Sequence, residues 1–197
     1  FARKGYEVSA LELADANIAA FKKKLTPEDK IDLVQGNALD LSRYADKSFD
    51  IVLLFGPLYH LKNDADKQKC ISEAKRVCKD GGKIFFSFIS NDFVFLTEFG
   101  YDANYFSNGD YDKETFKLND FPFVFHTVGA ARKLLADGGI NILHEVASDG
   151  ASELLAARIN EMSDEDYTQY LRYHFYICEK PELLGMTNHL LFMGEKK

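Results

Sequence analysis

Cysteine is scarce: Cys70, Cys78 and Cys178 are the only three in 197 residues. The count is odd and no C-x-x-C pair occurs, which excludes a disulfide framework or zinc knuckle as the basis of the fold and predicts free thiols in a reducing compartment. No apolar run approaches the roughly 18 to 20 residues that cross a bilayer, and no signal peptide opens the chain. Basic clusters are equally sparse. Lys22-Lys23-Lys24 is the only basic block, and it reads as the solvated last turn of a helix, where cations suit the dipole. With a net charge of -7, the chain lacks the clustered Lys and Arg that phosphate backbones require, so nucleic acid is not expected as a partner. No metal site is expected either. No G-x-G loop, internal repeat or low-complexity linker occurs. What remains is a soluble, cytoplasmic protein of one globular domain over 1–197, large enough for a sizeable core.

What is present has a rhythm. The stretch Phe1 to Gly5 reads as the last turn of a helix closed by glycine, which predicts that a segment of the domain lies upstream of residue 1. A strand follows from Tyr6, ending in the acid Glu12. A helix is expected over Ala14 to Leu25, stopped before Pro27, and a short strand over Ile31 to Gln35. Phe49 to Phe55 is almost continuously apolar, as in a strand buried on both faces. Asp64 to Lys79 carries Ile71, Ala74, Val77 and Cys78 at helical spacing, closed by Asp80-Gly81-Gly82. Lys83 to Ile89 is a further buried strand. Strand, helix and strand in this alternation mean an α/β fold with a mostly parallel sheet and helices on both faces.

Residues 90–125 interrupt that rhythm. Eleven of the seventeen Phe fall between Phe85 and Phe125, without clear periodicity. Such a segment is either a lid facing substrate or padding on a sheet edge. Regularity resumes with Thr127 capping a helix to Ala136, then a strand over Ile140 to Val146. Ser163 opens a helix to about Cys178, in which Leu171, Phe175 and Cys178 share a face expected to pack in the core. A final strand, His189 to Met193, is expected to run antiparallel to the one before it. His144, His174 and His189 have no chemical company nearby in sequence.

Four stretches carry chemistry. An acid at the end of a strand, here Glu12 with Leu13 beside it, suits a pair of ribose hydroxyls, because two neutral donors meet two anionic oxygens. Gly36-Asn37-Ala38 follows the next strand. Phe49-Asp50-Ile51-Val52 leads to Phe55-Gly56-Pro57-Leu58-Tyr59-His60, and Glu73-Ala74-Lys75-Arg76-Val77 leads to Gly81-Gly82. In this order the series resembles class I S-adenosylmethionine-dependent methyltransferases of the branch related to ubiquinone and menaquinone biosynthesis. Phe125-His126-Thr127, Ala136 to Gly139 and Asn188-His189 continue the likeness.

The resemblance implies a Rossmann-like sheet of seven strands with the last antiparallel, whose glycine-rich loop would lie before residue 1. It implies S-adenosylmethionine as cofactor. Glu12 and Leu13 would meet the ribose, Asn37 and Ala38 the adenine, and Phe55 and Gly56 the methionine end. Asn37 stands where the family usually has Asp. Tyr59 and His60 would face the transferring methyl, with His60 and His126 as candidate bases. The acceptor would be a small molecule, covered by 90–125 and by 150–178. The alternative is a degenerate, non-catalytic domain acting as an interaction module. A nicotinamide-dependent oxidoreductase is disfavoured, since an antiparallel final hairpin fits methyltransferases better. The oligomeric state stays open, a dimer being one option.

Overall fold

The computed structural model describes all 197 residues, which fall into two compact units, 1–45 and 46–197.

In the first unit, a 3-10 turn (Ala2–Lys4) ends at Gly5, whose φ of 88° gives the left-handed turn that glycine adopts without a Cβ penalty. β1 (Val8–Glu12) and β2 (Ile31–Gln35) pair in parallel from Val8↔Ile31 to Glu12↔Gln35. α1 (Asp15–Lys22) connects them, ending three residues sooner than its sequence suggests. The helix has no side-chain cap at Ala14. Instead, Glu12 Oε1 accepts the Ala14 amide at 2.9 Å, setting a carboxylate at the helix start. Arg3 grips Asp29 through two bonds of 2.7 Å, fixing the first turn to the loop before β2. The pair holds the Asp29 carboxyl well below the usual range, by its hydrogen bond first.

The second unit is built on a five-stranded sheet: β3 (Phe49–Leu54), β4 (Cys78–Ser90), β5 (Phe125–His126), β6 (Ile140–Ala147) and β7 (His189–Lys196). Along the sheet the order is β3-β4-β7-β6, with β5 joining the end of β4. β3 and β5 run parallel to β4, while β7 is antiparallel to both β4 and β6. The fold is therefore α/β and Rossmann-like, with the final strand reversed as expected. β1 and β2 form a two-stranded sheet of their own, so the single sheet of seven strands is not what is observed.

Two helices cover one face of the larger sheet. α2 (Asp64–Val77) buries Ile71, Ala74 and Val77, and α5 (Val128–Asp137) buries Ala131 and Leu135. Phe86, Phe88, Phe192 and Leu190 meet them in the fully buried core. Each such side chain contributes about 1.5–3 kcal/mol by leaving water. Gln68 donates to the Leu134 carbonyl at 2.9 Å and Lys75 to that of Gly138 at 2.8 Å. The Lys75 bond satisfies the carbonyl just past the end of α5, while the Gln68 bond adds a second donor to the Leu134 carbonyl, which already accepts the Gly138 amide.

Four expectations need correction. α2 gives way to strand at Cys78, so Asp80-Gly81-Gly82 lies inside β4, where the ladder shifts register between Phe49 and Ile51. Residues 90–125 begin as helix and continue as turns: α3 (Asn91–Tyr101), capped by Ser90, is followed by the short α4 (Tyr105–Asn108) and then by irregular chain up to β5. Their missing periodicity reflects a second small core, in which Phe95, Tyr111 and Leu118 are buried against Val94, Tyr105 and Phe125. Asn91 ties it down by accepting the Leu118 amide at 2.9 Å and donating to the Phe116 carbonyl at 3.1 Å.

The remaining corrections concern the C-terminal third. After α6 (Ala156–Asn160), α7 (Asp164–Ile177) opens on Ser163, whose hydroxyl accepts the Asp166 amide at 3.1 Å. The face expected to pack in the core is only partly covered: Cys178 is buried, but Phe175 is 72% exposed. And two histidines do have company. His144 Nδ1 lies 2.9 Å from Glu179, and His189 Nδ1 lies 2.8 Å from Asp149, partners 35 and 40 residues away.

Candidate active site

Ligands of α/β sheets bind beyond the carboxyl ends of the parallel strands. In the first unit that edge holds Glu12, half-buried, and the tight turn that begins at Gly36. The Gly36 amide donates to the Glu12 carbonyl at 3.0 Å, and a Cβ at Gly36 would stand 2.8 Å from Leu11 Cδ1, so glycine allows the chain to fold back here. Asn37 is exposed and its side-chain oxygen accepts the Leu39 amide at 3.0 Å. Ala38 is half-buried and Leu13 is 64% exposed. One Glu12 oxygen is committed to the Ala14 amide, which leaves the second as an open acceptor. Carboxylate, apolar surface and a backbone turn are the donor set that an adenosine requires, and they fit it.

In the second unit, β3 ends at Leu54. Phe55 follows, 52% exposed, and then Gly56 at φ 124°, a conformation L residues rarely adopt. The chain turns there into a 3-10 helix, Pro57–Tyr59, anchored by the fully buried Leu58. Tyr59 and His60 stand side by side, their ring centroids 5.0 Å apart, and both rings pack on Phe123, at 6.0 and 5.3 Å. Burial raises the Tyr59 hydroxyl above its ordinary pKa, so it stays a neutral hydrogen-bonding group. A Cβ at Gly56 would meet only the Tyr59 hydroxyl, at an ordinary contact distance of 3.8 Å, so it is the positive φ and not lack of space that calls for glycine here.

His126 occupies a different environment. It lies on β5, with its ring 5.1 Å from Phe88, and is 6% exposed. Neither ring nitrogen meets a hydrogen-bonding partner. The nearby Val124 carbonyl favours the protonated ring only weakly. Burial first, then the charges of Lys67 and Lys117, push its pKa down to about 4. A neutral imidazole is thus sealed into the core beside the site, while Tyr59 and His60 face outward.

Sequence reading missed the Asp149–His189 pair, which no local motif announces. It also missed an open cleft of about 530 Å³ between α6 and α7, lined by Arg158, Met162, Asp166, Gln169, Tyr170 and Tyr173. No group of His, Cys, Asp and Glu is arranged to hold a metal, and no helix is long and apolar enough to cross a membrane.

The sheet of the second unit, parallel but for one reversed strand beside its edge, is Rossmann-like. Residues 1–86 match the profile of a family described as a methyltransferase domain. A demethylmenaquinone methyltransferase of Clavibacter sepedonicus is 32% identical over 102 residues, covering 51% of this chain and 40% of that protein. The chain thus spans well under half the length of this curated relative. Among solved structures, an S-adenosylmethionine-dependent methyltransferase of Methanosarcina mazei aligns with a TM-score of 0.59 at 16% identity, over 99% of this chain and 84% of that one. A cyclase aligns at 0.55 and 16%, over 96% and 66%. At such identities the likeness is one of fold.

Proposed function

We propose that the protein transfers a methyl group from S-adenosylmethionine to a small-molecule acceptor in the cytoplasm. The observation that carries this reading is Glu12, which ends β1 with one carboxylate oxygen uncommitted beside exposed Leu13. The matched methyltransferase domain and the Clavibacter relative support methyl transfer, and the Methanosarcina structure supports the cofactor. In this reading Glu12 and Leu13 hold the ribose, and Asn37 and Ala38 the adenine. The cofactor supplies an electrophilic methyl on sulfur. Alignment of the acceptor in a dry site supplies most of the remaining acceleration, worth about 7–11 kcal/mol where it is complete.

The Tyr59 ring suits a sulfonium, because an aromatic face attracts a nearby cation by about 0.5–2 kcal/mol. His60, exposed beside it, is positioned to hydrogen-bond an acceptor. His126 acts on this reading through packing at the end of β4, since its ring is enclosed. The 90–125 segment and the helices of 150–178 cover the acceptor, the latter with the Tyr-lined cleft. The reduced Cys70, Cys78 and Cys178 agree with a cytoplasmic setting.

The second reading, a degenerate domain of this fold that serves as an interaction module, draws on the cyclase, which has a similar fold and a different reaction. Calorimetric titration of S-adenosylhomocysteine separates the two. Saturable binding that Glu12→Gln weakens supports the enzyme. A folded protein that binds none refutes it.

A further inference from the structure

The strongest polar constellation outside the proposed cofactor site lies where β7 begins. Asp149 and His189 face each other, with His189 Nδ1 2.8 Å from Asp149 Oδ2. The other carboxylate oxygen accepts the His189 amide at 3.1 Å and the Thr187 hydroxyl. Thr187 in turn accepts the Gly150 amide at 3.1 Å, so the carboxylate is oriented from several sides. When Nδ1–H points at a carboxylate, the lone pair of Nε2 faces the other way, and that tautomer is fixed. The exposures differ in the useful sense: the His189 side chain is 52% exposed and that of Asp149 30%.

The position also matters. His189 is in register with Ile89, one residue from the carboxyl end of β4. Along β7, Leu190 and Phe192 enter the core, so His189 stands on the opposite face of the sheet. Glu153 flanks the pair, accepting from the Tyr101 hydroxyl at 2.9 Å and from Asn188.

We propose that His189, oriented by Asp149, is the proton acceptor for an acceptor substrate whose attacked atom is a weakly acidic O–H or S–H. This deepens the methyl-transfer reading and rests on it for the identity of the reaction. In the step, the O–H or S–H bond breaks, the oxygen or sulfur keeps the electron pair, and the proton bonds to Nε2 of His189. The resulting imidazolium is neutralised by Asp149, with Glu153 adding to the negative field. The same contacts raise the His189 pKa above its ordinary value, chiefly through the Asp149 hydrogen bond and against the effect of burial. A purely structural tie between residues 148–150 and 187–189 would need only Nδ1, which distinguishes the two roles.

The test uses 4-nitrophenol, a weak acid whose anion is yellow, added to the protein at a pH where the free probe is mostly protonated. Wild type is expected to show a saturable phenolate band on binding. His189→Asn keeps a donor where Nδ1 stands but has no Nε2, so it is expected to keep the wild-type melting temperature and lose the band at least tenfold. Asp149→Asn is expected to weaken it several-fold. No band in wild type up to the solubility of the probe, or a band that survives in His189→Asn, overturns the proposal. The readout needs no cofactor. A band without S-adenosylhomocysteine binding therefore leaves the dyad standing and removes the methyl-transfer reading, and the reverse result does the opposite.

Discussion

The carbonyl oxygen of Tyr59 accepts the Val124 amide at 2.8 Å. This bond joins the turn after β3 to the strand entering β5, two segments more than sixty residues apart in sequence. It presents Tyr59, His60 and Phe123 together, and leaves His126 on the inner side of the same strand.

Glu12 is the first residue to change. Glu12→Gln removes the charge but preserves the shape and the bond to Ala14. A charge-assisted hydrogen bond is worth about 1.5–3 kcal/mol, so S-adenosylhomocysteine affinity is expected to fall roughly ten- to hundredfold by calorimetry. Unchanged affinity would remove Glu12 from the site.

The enclosed His126 makes stability depend on acidity. Its pKa of about 4 in the folded chain lies below the 6.5 of an unfolded histidine, so between those values the unfolded state binds more protons. Stability is complete above about pH 6.5 and is lost as pH falls towards 4. The size is on the order of 3 kcal/mol. His126→Leu, compared with wild type by urea titration across this range, is expected to flatten the acid side. A parallel dependence in both proteins would assign the effect elsewhere.

Gly194 lies opposite the irregularity in β6 between Ile142 and His144. A Cβ there would meet Ile140 Cγ2 at 2.5 Å and the Asn141 carbonyl oxygen at 2.8 Å. Gly194→Ala is expected to cost about 1–3 kcal/mol through overpacking. Gly81→Ala makes a weak control, because its surroundings are open but its φ of 77° is unfavourable to alanine. Thermal melts of the two, with Gly194→Ala the lower, check the ranking.

Cys70 is fully buried on α2, and burial raises its thiol to about 12. Only the thiolate reacts with alkylating agents. Iodoacetamide at neutral pH is therefore expected to leave Cys70 unlabelled in the native protein and to label it on unfolding, as read by mass spectrometry of the peptides.

The β-strand core was the most legible part. Phe49 to Leu54 and Ile84 to Ile89 are apolar enough to announce themselves as strands, but the first is not buried on both faces as expected, with Ile51 48%, Leu53 41% and the following Phe55 52% exposed; Thr127 and Ser163 marked the starts of α5 and α7 through cap chemistry. The run from Asn91 to Phe125 hid its helix because its aromatic residues serve a local cluster, with Phe95 and Tyr111 facing one another and not the main core. Phe175 misled in the opposite direction, since helical spacing shows which residues share a face but not whether anything covers it. The site divided along similar lines. Glu12, Gly36 and the turn at Gly56 follow their strands directly, so their place at strand ends could be read from order along the chain. Asp149 and His189 meet only because β6 and β7 are neighbours, and pairing across forty residues leaves no mark on either segment.

β7 lies between β4 and β6. Both neighbours are translated before it, and neither touches the other until it arrives. During synthesis, then, β6 leaves the ribosome with no partner strand, and the larger sheet closes only when residues 189–196 have emerged. Contacts this distant along the chain form slowly, so nascent chains stalled short of residue 189 would carry two unsatisfied strand edges and be a natural substrate for chaperones.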